Sequence, residues 1–246
     1  MKKMLLGLCM LGLFLGVVAA QKIKVVTEEY PPYNYTANGA ITGMSTEIVH
    51  MVLKEAGVDF EPIQSNPWAR TYDMALNQPN ILIYSIGRSQ EREAKFKWVG
   101  VIAPYDVYLF KLKENSALKV TKLDDIKTSK TGVVRDDVRA QYLKSKGIPD
   151  SSMDVVPGDN LNIRKLFEKR IDMFPIDELA ASYLAKQEKL DFAKMEKVFF
   201  LKDISSGLYM AFSKNTPDEI VTKCKTALEK IKSDGRFEKI KAKYVK

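Results

Sequence analysis

The chain has 246 residues with 39 Lys and Arg against 31 Asp and Glu, a formal charge of +8, and 46% hydrophobic residues. Acidic residues are interspersed among the lysines throughout, which excludes the basic face with interleaved aromatics that nucleic-acid binding requires. This length and hydrophobic content support one large core or two modest ones.

Residues 1–20 have the three parts of a secretory signal: Lys2 and Lys3, an apolar run from Met4 to Val18, and Val18-Ala19-Ala20 before Gln21. Cleavage after Ala20 fits the small-residue rule. The apolar run has 15 residues, against the roughly 20 needed to span a bilayer, so a cleaved signal is expected rather than a retained anchor. Cys9 sits inside the run behind Leu8, where lipid attachment would require a small residue. Removing the signal leaves a net charge of +6 and one cysteine, Cys224, expected as a half-buried helix residue; no intrachain disulfide is then possible.

Lys22 to Thr27 alternates and is β-branched, which predicts a strand, and Tyr30-Pro31-Pro32-Tyr33 follows as a rigid loop. Met44 to Ala56 has helical spacing and stops at Gly57. Val58 to Ile63 predicts a second strand, Pro67 opens a helix to about Leu76, and Ile81 to Ile86 predicts a third strand. The alternation restarts with a strand over 130–134, a helix over 137–146, a strand over 153–156, a helix over about 161–170 and a strand over 171–175. Such alternation implies parallel sheets covered on both faces, and its restart implies a second lobe. Val107 to Leu112 and Val198 to Phe212 are suited to crossovers between the two series, before terminal helices at about 217–232 and 237–245.

Four stretches, in their order and spacing, resemble the bacterial extracellular solute-binding proteins, family 3, which serve polar amino-acid uptake. They are Tyr30-Pro31-Pro32-Tyr33 with Gly43-Met44-Ser45-Thr46-Glu47, the run Ser85 to Arg92, the run Arg170 to Asp177, and Ser233-Asp234-Gly235-Arg236-Phe237. The resemblance implies an α/β fold of the type II periplasmic binding protein kind. It has two lobes of mixed, mostly parallel sheets with helices on both faces. Lobe 1 would comprise 21–106 and 204–246, and lobe 2 107–203. It further implies a periplasmic monomer that closes on a small amino-acid-like ligand and delivers it to a membrane ABC permease, without a cofactor.

Within that resemblance, Arg92 matches the arginine that grips the ligand carboxylate, a role its planar fork suits. Read alone, it belongs to a charge run with Arg88, Glu91, Glu93 and Lys95. Asp177 matches the acidic residue that meets the ligand ammonium, and a carboxylate at a strand end also serves as a helix N-cap. Tyr30 matches an aromatic that covers the ligand and Trp68 an apolar ligand contact, although neighbouring aromatics could equally be core fillers. Ser85 opens the motif; Gly87 stands where a hydroxyl is frequent, with Arg88 and Arg70 as further cations. Arg135-Asp136-Asp137-Val138 replaces the family's Gly-Thr-Thr-like turn. There Asp137 can cap the helix while backbone N–H groups near Val138 face an anion.

The alternatives are an exported dehydratase-like enzyme on the same fold and a ligand-sensing receptor domain. His50, the one histidine, falls in the first helix away from the expected cleft, so an enzyme would need Glu or Asp as its base.

Overall fold

The structure, a computed structural model, describes residues 22–245; the expected signal and its cleavage point lie outside the described residues. In chain order the elements are β1 (Lys24–Thr27), the hairpin β2 (Tyr35–Ala37) and β3 (Ala40–Thr42), α1 (Met44–Ala56), β4 (Gln64–Ser65), α2 (Trp68–Asn77), β5 (Ile81–Gly87), β6 (Phe96–Ala103) and β7 (Val107–Leu112). There follow β8 (Thr131–Val134), α3 (Val138–Ser145), β9 (Met153–Val156), α4 (Asp159–Phe167), β10 (Met173–Asp177), α5 (Glu178–Gln187), β11 (Met195–Phe200), β12 (Leu208–Ser213), α6 (Asp218–Ser233) and α7 (Arg236–Lys241). No helix among the described residues is long and apolar enough to cross a membrane.

Two five-stranded mixed sheets form, in the orders β4-β1-β5-β12-β6 and β11-β7-β10-β8-β9. In the first, β1 is parallel to β4 and β5, while β12 is antiparallel to β5 and β6. In the second, β8 is parallel to β9 and β10, while β7 is antiparallel to β10 and β11. The antiparallel partners come from the strands flanking the two crossovers. Those crossovers, at 104–106 and 201–207, lie side by side: Leu201 N donates to Val107 O at 2.8 Å and Val107 N to Ser205 Oγ at 2.9 Å. Two short adjacent connections between two sheets suit a hinge.

Strand β5 shows how the first sheet is covered on both faces. Leu82 and Tyr84 join the core with α1 and α6, whereas Ile81 and Ile83 pack with Trp68, Tyr72 and Met74 of α2. Simple alternation would send Ile86 to the α1 side, yet it packs on the α2 side. The switch occurs at Ser85, whose φ is +58°, opposite an irregularity between Tyr209 and Met210 of β12.

The start of α1 is capped by backbone rather than side chain. Met44 N donates to Pro32 O at 3.0 Å and Ser45 N to Tyr33 O at 2.8 Å, which satisfies orphan helix donors with the Tyr30–Tyr33 turn. Gly43 makes this approach possible: its φ is +114° and a Cβ there would lie 2.5 Å from Tyr33 O. Helix α1 ends at Gly57 in the left-handed conformation.

The expected strand over 58–63 is not formed. Pro62 removes a ladder donor, and that segment contributes an isolated bridge between Ile23 and Phe60 before β4 begins at Gln64. The strand expected over 171–175 is displaced to Met173–Asp177. Val107 to Leu112 is an interior strand of the second sheet, and Val198 to Phe212 divides into the end of β11, the crossover and β12.

Candidate functional site

The loops at the C-terminal ends of β1, β5, β8, β9 and β10 converge between the two sheets, where open α/β sheets place their ligand sites. From the first sheet come Glu28, Tyr30 and Tyr33 after β1, Gly87 ending β5 and Arg92 after it; α2 adds Trp68 and Tyr72. From the second come Asp136 and Asp137 after β8, Asp159 after β9 and Asp177 ending β10.

Asp177 is a hub between the lobes. Its Oδ2 accepts from the Tyr30 hydroxyl at 2.6 Å, and its Oδ1 from the Tyr33 hydroxyl at 2.7 Å and from Ala180 N at 3.0 Å. It is therefore both the N-cap of α5, as the sequence allows, and an acceptor for two lobe 1 tyrosines. Burial raises its pKa, against the lowering effect of these bonds and of nearby Arg139.

Arg92 is fully buried. Its guanidinium lies 4.6 Å from the Tyr72 ring centre and 5.6 Å from that of Trp68. It donates to Gly87 O at 3.1 Å, Asp136 O at 2.9 Å and Gln141 Oε1 at 2.9 Å. The Asp136 carbonyl also accepts from Trp68 Nε1 at 3.0 Å and from Gln141 Nε2 at 3.2 Å. Asp136 reaches this position with φ +59°, so the turn that departs from the family pattern aims a carbonyl at two lobe 1 side chains. Burial lowers the Arg92 pKa, against the opposing effect of Asp137.

Asp137 caps α3 through Arg139 N at 2.8 Å and takes Arg139 Nε at 2.6 Å. Arg139 also reaches Asp159 Oδ2 at 2.8 Å and Pro175 O at 2.9 Å, 5.6 Å from the centre of the Tyr30 ring. Burial opposes ionisation of Asp137, yet Arg139 and Arg92 hold its carboxyl below the usual range, whereas burial raises Asp159 despite Arg139. Beside them Glu28 is buried and its pKa is raised well above the ordinary range, first by desolvation and then by repulsion from Asp137.

Glu28, Trp68 and Asp159 also line a cavity of about 790 Å3 between the lobes. Glu29, Thr36, Ser65, Asn66, Asn160, Arg164, Gln187 and Glu188 complete its polar wall. Glu29 is held by Thr36 and Ser65 at 2.7–2.8 Å, and Glu188 pairs with Arg164 at 2.5 Å.

Of the residues singled out in the sequence, Tyr30, Trp68, Gly87, Arg92, Asp137, Val138 and Asp177 meet at this interlobe face. Ser85 lies behind it, its hydroxyl donating to Asn34 Oδ1. Arg88 is engaged elsewhere: it pairs with Glu93 at 2.5 Å and lies over the rings of Trp98 and Tyr209. Arg70 is exposed on α2. The sequence reading missed Glu28, Tyr33, Asp159 and above all Arg139, which stands two residues after Asp137.

Gly87 is packed directly against lobe 2, where a Cβ would lie 2.6 Å from Val138 Cγ1. Val138 is short and stiff at χ1, so Gly87→Ala is expected to prop the lobes apart. Small-angle scattering should show a less compact protein, and calorimetry about tenfold weaker ligand binding. Unchanged compaction and affinity would mean that the lobes close by another path.

Residues 23–246 match the model of the bacterial extracellular solute-binding proteins, family 3. The putative ABC transporter arginine-binding protein 2 of Escherichia coli (strain K12) is 28% identical over 260 residues, covering 99% of both chains. Among solved structures, a histidine kinase sensor domain with similarity to periplasmic binding proteins superposes with a TM-score of 0.79 at 17% identity, covering 92% of this chain and 96% of that one. An ancestral arginine-binding protein bound to arginine gives 0.77 at 21% identity, over 92% and 98%. The family match spans essentially all of the described chain, both sheets and the loops that meet between them, and the protein belongs to the bacterial extracellular solute-binding proteins, family 3.

Proposed function

We propose that this protein, exported to the periplasm and acting as a monomer, captures an amino acid between its lobes and delivers it to an ABC permease without chemistry of its own. Lobe 1 is taken as 21–106 with 204–246 and lobe 2 as 107–203, a division consistent with the strand membership of the two sheets. The observation that carries the reading is the facing set of buried charges. Arg92 and Glu28 come from lobe 1, with Asp137, Arg139, Asp159 and Asp177 opposite them. Buried charges are costly as structural devices, and complementary ones on two hinged bodies suit a zwitterion that joins them.

In this role Arg92 takes the carboxylate, exchanging the Asp136 carbonyl for it, and Asp177 takes the ammonium in place of a tyrosine hydroxyl. The ligand side chain then extends toward Glu28 and the cavity wall. Glu28 and Glu29 on that wall favour a positively charged side chain, whose binding would draw the proton from Glu28, in keeping with the names of the arginine-binding relatives. A thermal-shift screen and calorimetry with arginine, lysine, histidine, glutamine and glutamate test this. Arginine or lysine should bind most tightly, and absence of binding to all five would overturn it.

Glu28 supplies a separate test. Its raised pKa means the folded protein retains a proton that the unfolded chain loses, so the associated stability is present below the ordinary carboxylate range and is lost as pH rises through the folded pKa. Glu28→Gln should therefore raise the melting temperature at pH 7.5, with the gain shrinking toward pH 4, while weakening arginine by roughly 1.5–3 kcal/mol. A variant that loses stability at pH 7.5 and keeps its affinity would remove Glu28 from the site.

A further inference from the structure

The structure assigns Arg139 the part of a built-in ligand cation: its guanidinium fills a guanidinium-binding cup on lobe 2 and so determines which charged ligands the cleft accepts. The inference rests on the interlobe cleft being the ligand site. The cup consists of Asp137 Oδ1 on Nε at 2.6 Å, Asp159 Oδ2 on Nη2 at 2.8 Å and Pro175 O on Nη1 at 2.9 Å. The Tyr30 ring from the opposite lobe lies 5.6 Å from the guanidinium carbon.

Two carboxylates, a carbonyl and an aromatic ring are what recognition of a free guanidinium requires. Asn162 Nδ2 fixes the second Asp159 oxygen at 3.0 Å, and Asp137 is fixed as the cap of α3. The acceptors are thus held by α3, α4 and β10, and the cup would persist if the Arg139 side chain were removed. Arg139 is only 2% exposed, and the cup opens on the face where Glu28 and Arg92 stand. With Arg139 seated, a ligand cation is excluded from lobe 2's cup and meets Glu28 across the cavity instead.

The test compares the full-length mature protein with Arg139→Ala, using methylguanidinium as a probe and arginine against citrulline, its uncharged near-isostere. Methylguanidinium at millimolar concentration should raise the melting temperature of Arg139→Ala clearly more than that of the wild type. The preference for arginine over citrulline should rise by about tenfold or more in the variant. A folded variant with no methylguanidinium response and an unchanged arginine-to-citrulline ratio overturns the assignment.

If Arg139→Ala does not fold, Arg139→Gln, which keeps a polar side chain of intermediate length, takes its place. Should neither fold, with or without methylguanidinium, Arg139 is a structural keystone and the assignment also falls. Failure of the wild type to bind any amino acid would instead count against the proposed function, while the methylguanidinium response would still decide the fate of the cup.

Discussion

Arg92→Ala is expected to weaken ligand binding by roughly 100-fold to several thousand-fold and to leave the lobes less compact. The guanidinium is fully buried and bonds acceptors on both lobes, Gly87 O on one side and Asp136 O with Gln141 on the other. Truncation deprives those acceptors of donors and leaves a bound carboxylate unpaired in a water-poor cleft, at a cost of about 3–5 kcal/mol. Arg92→Lys should recover only part of this, because an ammonium on a flexible stem cannot span three acceptors while stacking on Tyr72. Calorimetry paired with small-angle scattering reads both effects. Near wild-type affinity with undiminished compaction would show that the carboxylate is anchored elsewhere.

Asp177→Asn should discriminate between ligands rather than weaken all of them. Asparagine still caps α5 and can accept from Tyr33, but it has lost the charge that an ammonium seeks. Affinity for an amino acid is expected to fall by about 1.5–3 kcal/mol, roughly ten- to 150-fold, and affinity for its des-amino analogue to change little. The variant should also gain stability relative to the wild type as pH rises. Burial raises the Asp177 pKa, so its contribution is present below the ordinary carboxylate range and is lost through the folded pKa. Equal losses for the two ligands in calorimetry would reduce Asp177 to a cap and a tyrosine acceptor.

The two sheets were legible because strand and helix signals alternate, stop and restart, with clear punctuation at Gly57 and Pro67. The interlobe positions of Arg92 and Asp177 were legible because each closes a recognisable run, Asp177 at the end of β10 and Arg92 five residues after the end of β5. Arg139 was not: it sits in the first turn of a helix within a mixed-charge segment, and nothing in its spacing says that Asp137 and Asp159, the latter 20 residues further on, fold onto it. The one available signal was Asp137 itself, since a cap carboxylate two residues before an arginine can bond both its N–H and its guanidinium. Glu28 was passed over because Glu29 follows it, and sequence does not say which of two adjacent carboxylates turns inward. The Val58–Ile63 error shows proline chemistry outweighing an apolar pattern. Strand β6 was missed although Phe96 and Trp98 alternate with lysines at 95 and 97.

Cys224 lies fully buried on α6 within the core shared with α1, and burial pushes its thiol up to about 12. At neutral pH it is a protonated group out of reach of reagents, so the folded chain from residue 22 to 245 presents no reactive sulfur. Cysteines introduced at chosen positions on either lobe can therefore be labelled selectively for fluorescence measurements of opening and closing. In unlabelled protein, the rate at which the native thiol yields to a disulfide reagent becomes a clock for excursions that expose the α6 core.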